Sequence, residues 1–242
     1  MKKTLTICGA VLGVLLIAAL VVFIFFPGLP EYFKVKKDYK YIDRTIGSFD
    51  KADVPVSFSA HTIRGVKLSA PMDFTENDRG SALKNSSGDT AVFIIELDSV
   101  QSAQYADAAY EDAGDSWFGH KYSESDYRSF FDKIDAEYPD PEEAKTDILW
   151  FFRDGFTAKD CIRLRGRDMD IFKELAEDKE KAWETEDTWK MSGEGFEAYV
   201  CQSSVWTVTI YPDGGGSKYI SIMLNHADDD TIRQIISSIE LE

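Results

Sequence analysis

The chain has 242 residues, 44% of them hydrophobic and 13% aromatic, with 7 Pro, which excludes a disordered polymer and supplies enough apolar material for a real core. Its formal net charge of −16 is unevenly spread: residues 1–50 hold 7 basic and 4 acidic side chains, and the remaining 192 hold 20 and 39. So acidic a body repels nucleic acid and anionic lipid, excludes nucleic acid as a partner, and otherwise reads as an ordinary solvated surface.

The first element is the run from Leu5 to Phe26, 22 consecutive residues without a charge. At about 1.5 Å per residue a helix of that length reaches roughly 33 Å, enough for a hydrocarbon core of about 30 Å. It lacks the polar stripe that a surface helix of a globular domain shows. A cleaved signal peptide is the rival reading, because Lys2 and Lys3 supply a basic start. The run is longer than the roughly 7 to 15 apolar residues of such peptides, and it closes on Phe25-Phe26-Pro27-Gly28-Leu29-Pro30 without a small-x-small cleavage pattern. Nor is Cys8 a lipoprotein cysteine, since Ile7 stands where a small residue is needed.

The expectation is therefore a single-pass signal anchor in which residues 5–26 contact membrane lipid and residues 1–27 form a cytoplasmic tip and transmembrane helix. Basic residues flank the run on both sides, with Lys34, Lys36, Lys37 and Lys40 after it, so charge asymmetry leaves the orientation open. The basic start favours an inside N-terminus and a globular domain on the outer face. Lys34 to Lys40 would rest against headgroups.

Residues 28–50 mix Tyr, Lys and Asp without a sustained period and read as a juxtamembrane stalk, with room for a helical stretch. Residues 51–242 read as one acidic globular domain. Its first strands follow from the alternation of Val54, Val56 and Phe58 and of Val66 and Leu68, with Arg64-Gly65 in the turn and Pro71 closing the second strand. Thr90 to Leu97 is a dense apolar run suited to a central strand.

Ser99 opens an Ala-rich helix through about Ala113. Residues 123–184 form a helical insertion. Ser123 with Asp126 has the spacing of a capping box, followed by a stripe of Tyr127, Phe130, Phe131, Ile134 and Tyr138. Asp140-Pro141-Glu142-Glu143 is a second helix start, stopped by Gly155. Thr157 with Asp160 opens a third short helix that Gly166 would end, and Asp168 or Asp170 caps a fourth bearing Ile171, Phe172, Leu175, Ala176 and Trp183.

Strands then fall at about Thr188 to Ser192, Phe196 to Gln202, Val205 to Tyr211 and Lys218 to Leu224, the last two joined by the turn Pro212-Asp213-Gly214-Gly215-Gly216-Ser217. A last helix carries Ile232, Ile235, Ile236 and Ile239. The fold class is α+β: an antiparallel sheet packed with helices unites the two strand groups, with the helical insertion between them.

Gly65-Val66-Lys67-Leu68-Ser69-Ala70-Pro71 together with Ile235-Ile236-Ser237-Ser238-Ile239 resembles the PsbP-like α/β/α sandwiches found in many secreted and anchored bacterial proteins. The resemblance covers the ends of the body, and the block from Ser123 to Trp183 departs from it. It implies a fold. No catalytic residue comes with it, because that architecture hosts unrelated roles.

Chemistry is sparse in the pattern. His61, His120 and His226 sit in separate segments, and no nucleophile elbow, Walker loop or dinucleotide fingerprint is present. His226 with Asp228, Asp229 and Asp230 is the one cluster with donors for a divalent cation, although those aspartates also stand where a helix N-terminus takes acceptors, and capping is their commoner use. Arg163, Arg165 and Arg167, with Lys159, form a basic patch able to hold a phosphate or a carboxylate polymer, or to pair with Asp160, Asp168 and Asp170. Trp117 and Trp150 are candidates for a sugar-stacking or protein-binding surface, although core packing is the commoner use of such residues. Cys161 and Cys201 suit one bond or two buried free thiols.

Two functions follow as expectations: a non-catalytic binding or interaction module with a protein or envelope-polymer partner and no cofactor, or an envelope-associated metal-assisted hydrolase using His226 and its aspartates.

Overall fold

The computed structural model describes residues 14, 16, 17, 20–22, 24–98, 122–138 and 153–242. Residues 14, 16, 17, 20–22, 24 and 25 are helical, and the rest of the apolar run before Phe26 lies outside the described residues. Among the described residues, no helix is long and apolar enough to cross a membrane.

Helix α1 (Leu29–Asp38) carries Pro30 in its first turn, where a missing N–H leaves no bond unmade, and it buries Val35. Residues 28–50, the segment read as a stalk, lie against the body. Glu180 accepts the backbone N–H groups of Lys40 and Tyr41 at 3.0 and 2.8 Å, and Lys173 pairs with Glu31 at 2.7 Å. Val35 and Ile42 join a buried cluster with Tyr127, Phe130, Phe131, Phe156, Ile171, Phe172 and Leu175. At about 1.5 to 3 kcal/mol for each large apolar side chain removed from water, these contacts hold the segment down.

Strand β1 (Gly47–Ser48) pairs in parallel with β7 (Asp187–Gly193). Next come the hairpin strands β2 (Phe58–Ile63) and β3 (Val66–Pro71), registered from Ile63 opposite Val66 to Phe58 opposite Pro71. Arg64 and Gly65 turn it with φ of 52° and 76°, the doubly left-handed geometry whose twist matches the flanking strands. The strand expected from Val54 begins instead at Phe58. Pro55 has no N–H to give a ladder, and Val54 and Val56 are exposed.

The remaining strands are β4 (Thr75–Glu76), β5 (Ala82–Lys84), β6 (Thr90–Asp98), β8 (Phe196–Gln202), β9 (Trp206–Pro212), β10 (Lys218–Leu224) and β11 (Glu240–Leu241). The main sheet runs β1-β7-β8-β9-β10-β6-β5-β4, antiparallel except at β1, and β10 beside β6 joins the two strand groups across the helical insertion. The expected single sheet is corrected in one respect: β2 and β3 belong to a second, three-stranded sheet closed by β11. Alternation shows which face of a strand is buried, and it carries no record of the strand's neighbours.

Helix α2 (Glu124–Ile134) has the expected capping box, Ser123 with Asp126, and ends at Asp135 in the left-handed region. A 3-10 helix (Ala158–Arg163) starts at Thr157 and Asp160. Its end is corrected from Gly166 to Arg163. Gly166, at φ 55°, instead opens α3 (Arg167–Thr185), so Asp168 and Asp170 sit in the first turn of α3 and face its positive end. The helices expected from Ser99 and from Asp140 lie outside the described residues, apart from a helical end at 153 and 154 before Gly155.

Helix α4 (Asp229–Ser237) and the small sheet cover one face of the main sheet, where Val66, Leu68, Val92, Ile94, Val200, Val208, Ile222, Ile232, Ile235 and Ile236 form one core. The helical cluster is a second core, joined to the sheet by Arg153 with Glu186, Lys190 with Asp154 at 2.7 Å and Arg44 with Asp187 at 2.5 Å.

Candidate functional site

The described end of the apolar helix meets the body at a close backbone crossing. Phe26 donates its N–H to Val22 O at 2.8 Å, closing the last helical turn, and Gly28 donates to Ile162 O at 2.9 Å on the 3-10 helix. A Cβ on Gly28 would lie 1.9 Å from Cys161 O, so only glycine lets the two backbones cross here. The 3-10 helix is itself anchored: Thr157 donates its N–H to Asp160 at 2.6 Å, and Ala158 donates to Asp43 at 3.0 Å. Ala158 and Cys161 are buried, and with Leu164 they fill the i, i+3, i+6 row, leaving Lys159 and Arg163 exposed.

This crossing opens a cleft of about 300 Å³ lined by Phe26 from the apolar helix, Lys133, Ile134 and Asp135 from the end of α2, and Lys159, Asp160, Ile162 and Arg163. Lys133 is held by both oxygens of Asp168 at 2.8 Å, and Asp160 is engaged by Thr157. Lys159 and Arg163 have no ion pair with any described residue. The cleft is thus part apolar and part cationic.

The arginine triplet does not converge. Arg163 lines the cleft, Arg165 is exposed beside it, and Arg167 pairs with Asp126 of α2 at 2.6 Å. The Arg167 guanidinium and the Ser123 hydroxyl hold the Asp126 carboxyl below the usual carboxylate range. In place of the local pairing expected as the commoner use, Arg167 makes a tie between α2 and α3. Trp117 and Trp150 lie outside the described residues.

The aspartates near His226 serve the start of α4. Asp228 accepts from Thr231 N at 2.9 Å and Thr231 Oγ1 at 2.8 Å, and these two donors lower its carboxyl from the ordinary value. Asp229 accepts from Trp206 Nε1 at 2.9 Å and Gln202 Nε2 at 3.1 Å. Asp230 sits exposed in the first turn, while His226 takes a left-handed φ of 54° and offers its carbonyl to Asn85 Nδ2 at 3.2 Å. Among the described residues, no group of three or more His, Cys, Asp or Glu side chains comes together to hold a metal.

One arrangement had no sequence signal beyond Ser-x-His on one strand face. His61 Nε2 lies 3.0 Å from Ser59 Oγ, and its Nδ1 lies 3.5 Å from Glu76 Oε1. These are the residue types of a nucleophile, base and carboxylate chain. Ser59 also contacts Ala70 O at 3.4 Å, and the His61 side chain is only 12% exposed. The set bridges β2 and β4, the edge strands of the two sheets.

Cys161 and Cys201 are free, buried and in separate clusters. Burial pushes the Cys161 thiol up to about 11 and raises that of Cys201.

No protein-family model matches the chain, and no curated protein or solved structure is significantly similar to it.

Proposed function

We propose that the chain is a single-pass membrane protein that displays an acidic α+β body on the outer face and acts as a non-catalytic binding or interaction module. One observation carries the anchor. Val14, Leu16, Ile17, Leu20, Ile24 and Phe25 are 61–67% exposed. With Val21 and Val22, which are 46% and 40% exposed, these positions spread over roughly two-thirds of the helix circumference at about 100° per residue, whereas a helix packed on a protein core covers one apolar stripe. Apolar side chains turned outward on so many sides suit hydrocarbon as solvent.

The binding role rests on the surface chemistry. Asp228 and Asp229 are engaged at the start of α4, so the competing metal-assisted hydrolase gains no observation in its favour. An unassigned mixed cleft stands at the base of the body. As for architecture, the two segments that resemble PsbP-like sandwiches meet in space: Ser69 of β3 donates its N–H to Ser238 Oγ at 2.8 Å, just beyond α4. That proximity supports keeping the PsbP-like reading as a proposal for the fold.

The test is alkaline extraction of membranes carrying the full-length chain, followed by protease treatment of intact cells. The chain is expected in the membrane pellet, with the body cut from outside. A full-length chain released without detergent would refute the proposal.

A further inference from the structure

We propose that the cleft lined by Phe26, Lys159 and Arg163 receives the headgroup phosphate of an anionic glycerophospholipid in the leaflet that the apolar helix enters. This deepens the membrane-anchored reading and rests on it. Phe26 is the last residue of the apolar run and a wall of the cleft, so on that reading the cleft stands at headgroup level. Ile134 and Ile162 give it apolar surface for the glycerol and upper acyl region. Lys159 and Arg163 supply a point charge and a planar fork, the pair of donors that suits a phosphate.

Charge is segregated in the same sense. Residues 29–40 and 159–167, the two segments that meet at the joint, hold 8 basic side chains against 3 acidic ones. The chain as a whole is net −16. A body that is strongly acidic as a whole therefore presents a basic region where the helix would enter the bilayer. On α1, Phe33 is 65% exposed, and Lys37, one turn on along the same helical face, is exposed too, an aromatic and basic pairing that suits the interface. Asp135 and Asp160 also border the cleft. Asp160 is engaged by Thr157, and Asp135 lies past the end of α2, so the Lys159 and Arg163 side is the cationic wall.

The experiment reconstitutes full-length protein into nanodiscs of phosphatidylcholine with a minor share of phosphatidylglycerol, and reads the lipids retained after detergent release by native mass spectrometry. Phosphatidylglycerol is expected to be enriched over its share. The double variant Lys159→Ala, Arg163→Ala is expected to lower that enrichment about five- to twentyfold, since each cation near an anionic surface is worth roughly fivefold before screening. Both side chains are exposed, so the variant's melting temperature serves as the folding control. A chain that enters nanodiscs but shows no preference, or a variant that keeps it, overturns the cleft proposal alone. A chain that does not enter nanodiscs overturns the anchor and the cleft together. If inorganic phosphate alone abolishes the preference and raises the melting temperature as the lipid does, the cleft is a free-anion site and the lipid assignment is overturned.

Discussion

Gly28 donates its N–H to Ile162 O at 2.9 Å, and this bond fixes the point at which the apolar helix is joined to the helical core. Its φ of −85° suits any residue. The requirement for glycine is therefore one of space: an added Cβ would stand 1.9 Å from Cys161 O, and backbone cannot swing aside as a side chain can.

Gly28→Ala is accordingly expected to destabilise the body by about 1 to 3 kcal/mol, the ordinary cost of forcing a methyl group into packed structure. Thermal unfolding of the full-length protein in detergent checks this. An unchanged melting temperature would mean that the crossing is looser than 2.9 Å implies.

Lys179 is fully buried, donates to Phe156 O at 2.6 Å, and has its pKa lowered to about 8 by desolvation, against the pull of Asp154, Asp43 and Asp160. Between pH 8 and the unfolded value of 10.5, the unfolded chain binds a proton that the folded chain does not, so unfolding free energy rises with pH across that window. The expected rise is of order 2 to 4 kcal/mol. Tyr127, whose hydroxyl burial raises well above the ordinary value, opposes it once unfolded tyrosines ionise near pH 10. The raised Cys161 and Cys201 thiols oppose it from about pH 8.5 upward, so denaturant titrations between about pH 8 and 9.5 read the lysine as the difference between the parent and Lys179→Met. The parent is expected to gain stability relative to Lys179→Met as pH rises through that window.

Arg233 lies 4.9 Å from the Trp206 ring centre and 5.4 Å from that of Trp189, and the two indoles stack at 6.0 Å. Trp206 also donates to Asp229, so one indole ties α4 to β9 through its face and its edge. Removing the cation by Arg233→Ala is expected to cost about 1 kcal/mol and to alter tryptophan fluorescence in the folded state. Trp206→Phe removes the N–H and is expected to cost about 1 to 3 kcal/mol, because Asp229 loses a donor.

Cys161 and Cys201 are expected to resist a maleimide reagent at pH 8 in the folded protein and to react together once it is denatured. Both are buried, and the raised thiol values leave little thiolate to attack. Alkylation followed by intact-mass measurement reads this directly. Rapid labelling of the native body would contradict their placement.

Local signals were readable wherever one segment supplies both partners. Ser123 and Asp126 announced their helix three residues apart, Arg64-Gly65 announced the hairpin, and the alternation from Phe196 to Gln202 coincides with β8. Signals failed where the partner is remote. The aspartate that meets Arg167 is Asp126, on another helix, while the nearer Asp168 is taken by Lys133. No residue spacing brings Ser59 and His61 to Glu76.

What the amino-acid order determined alone is the apolar run, the charge contrast between the two ends and the longer described helices and strands of the body, because hydropathy, capping and turn chemistry act within a few residues; the short strands β1, β4, β5 and β11 carry no such signal. Only the tertiary structure decided that β2 and β3 form a sheet with β11, that residues 28–50 pack on the helices, and that Phe26, Ile134 and Arg163 share a cleft. Such outcomes depend on how separate apolar faces are buried against one another, a choice made by the whole chain at once.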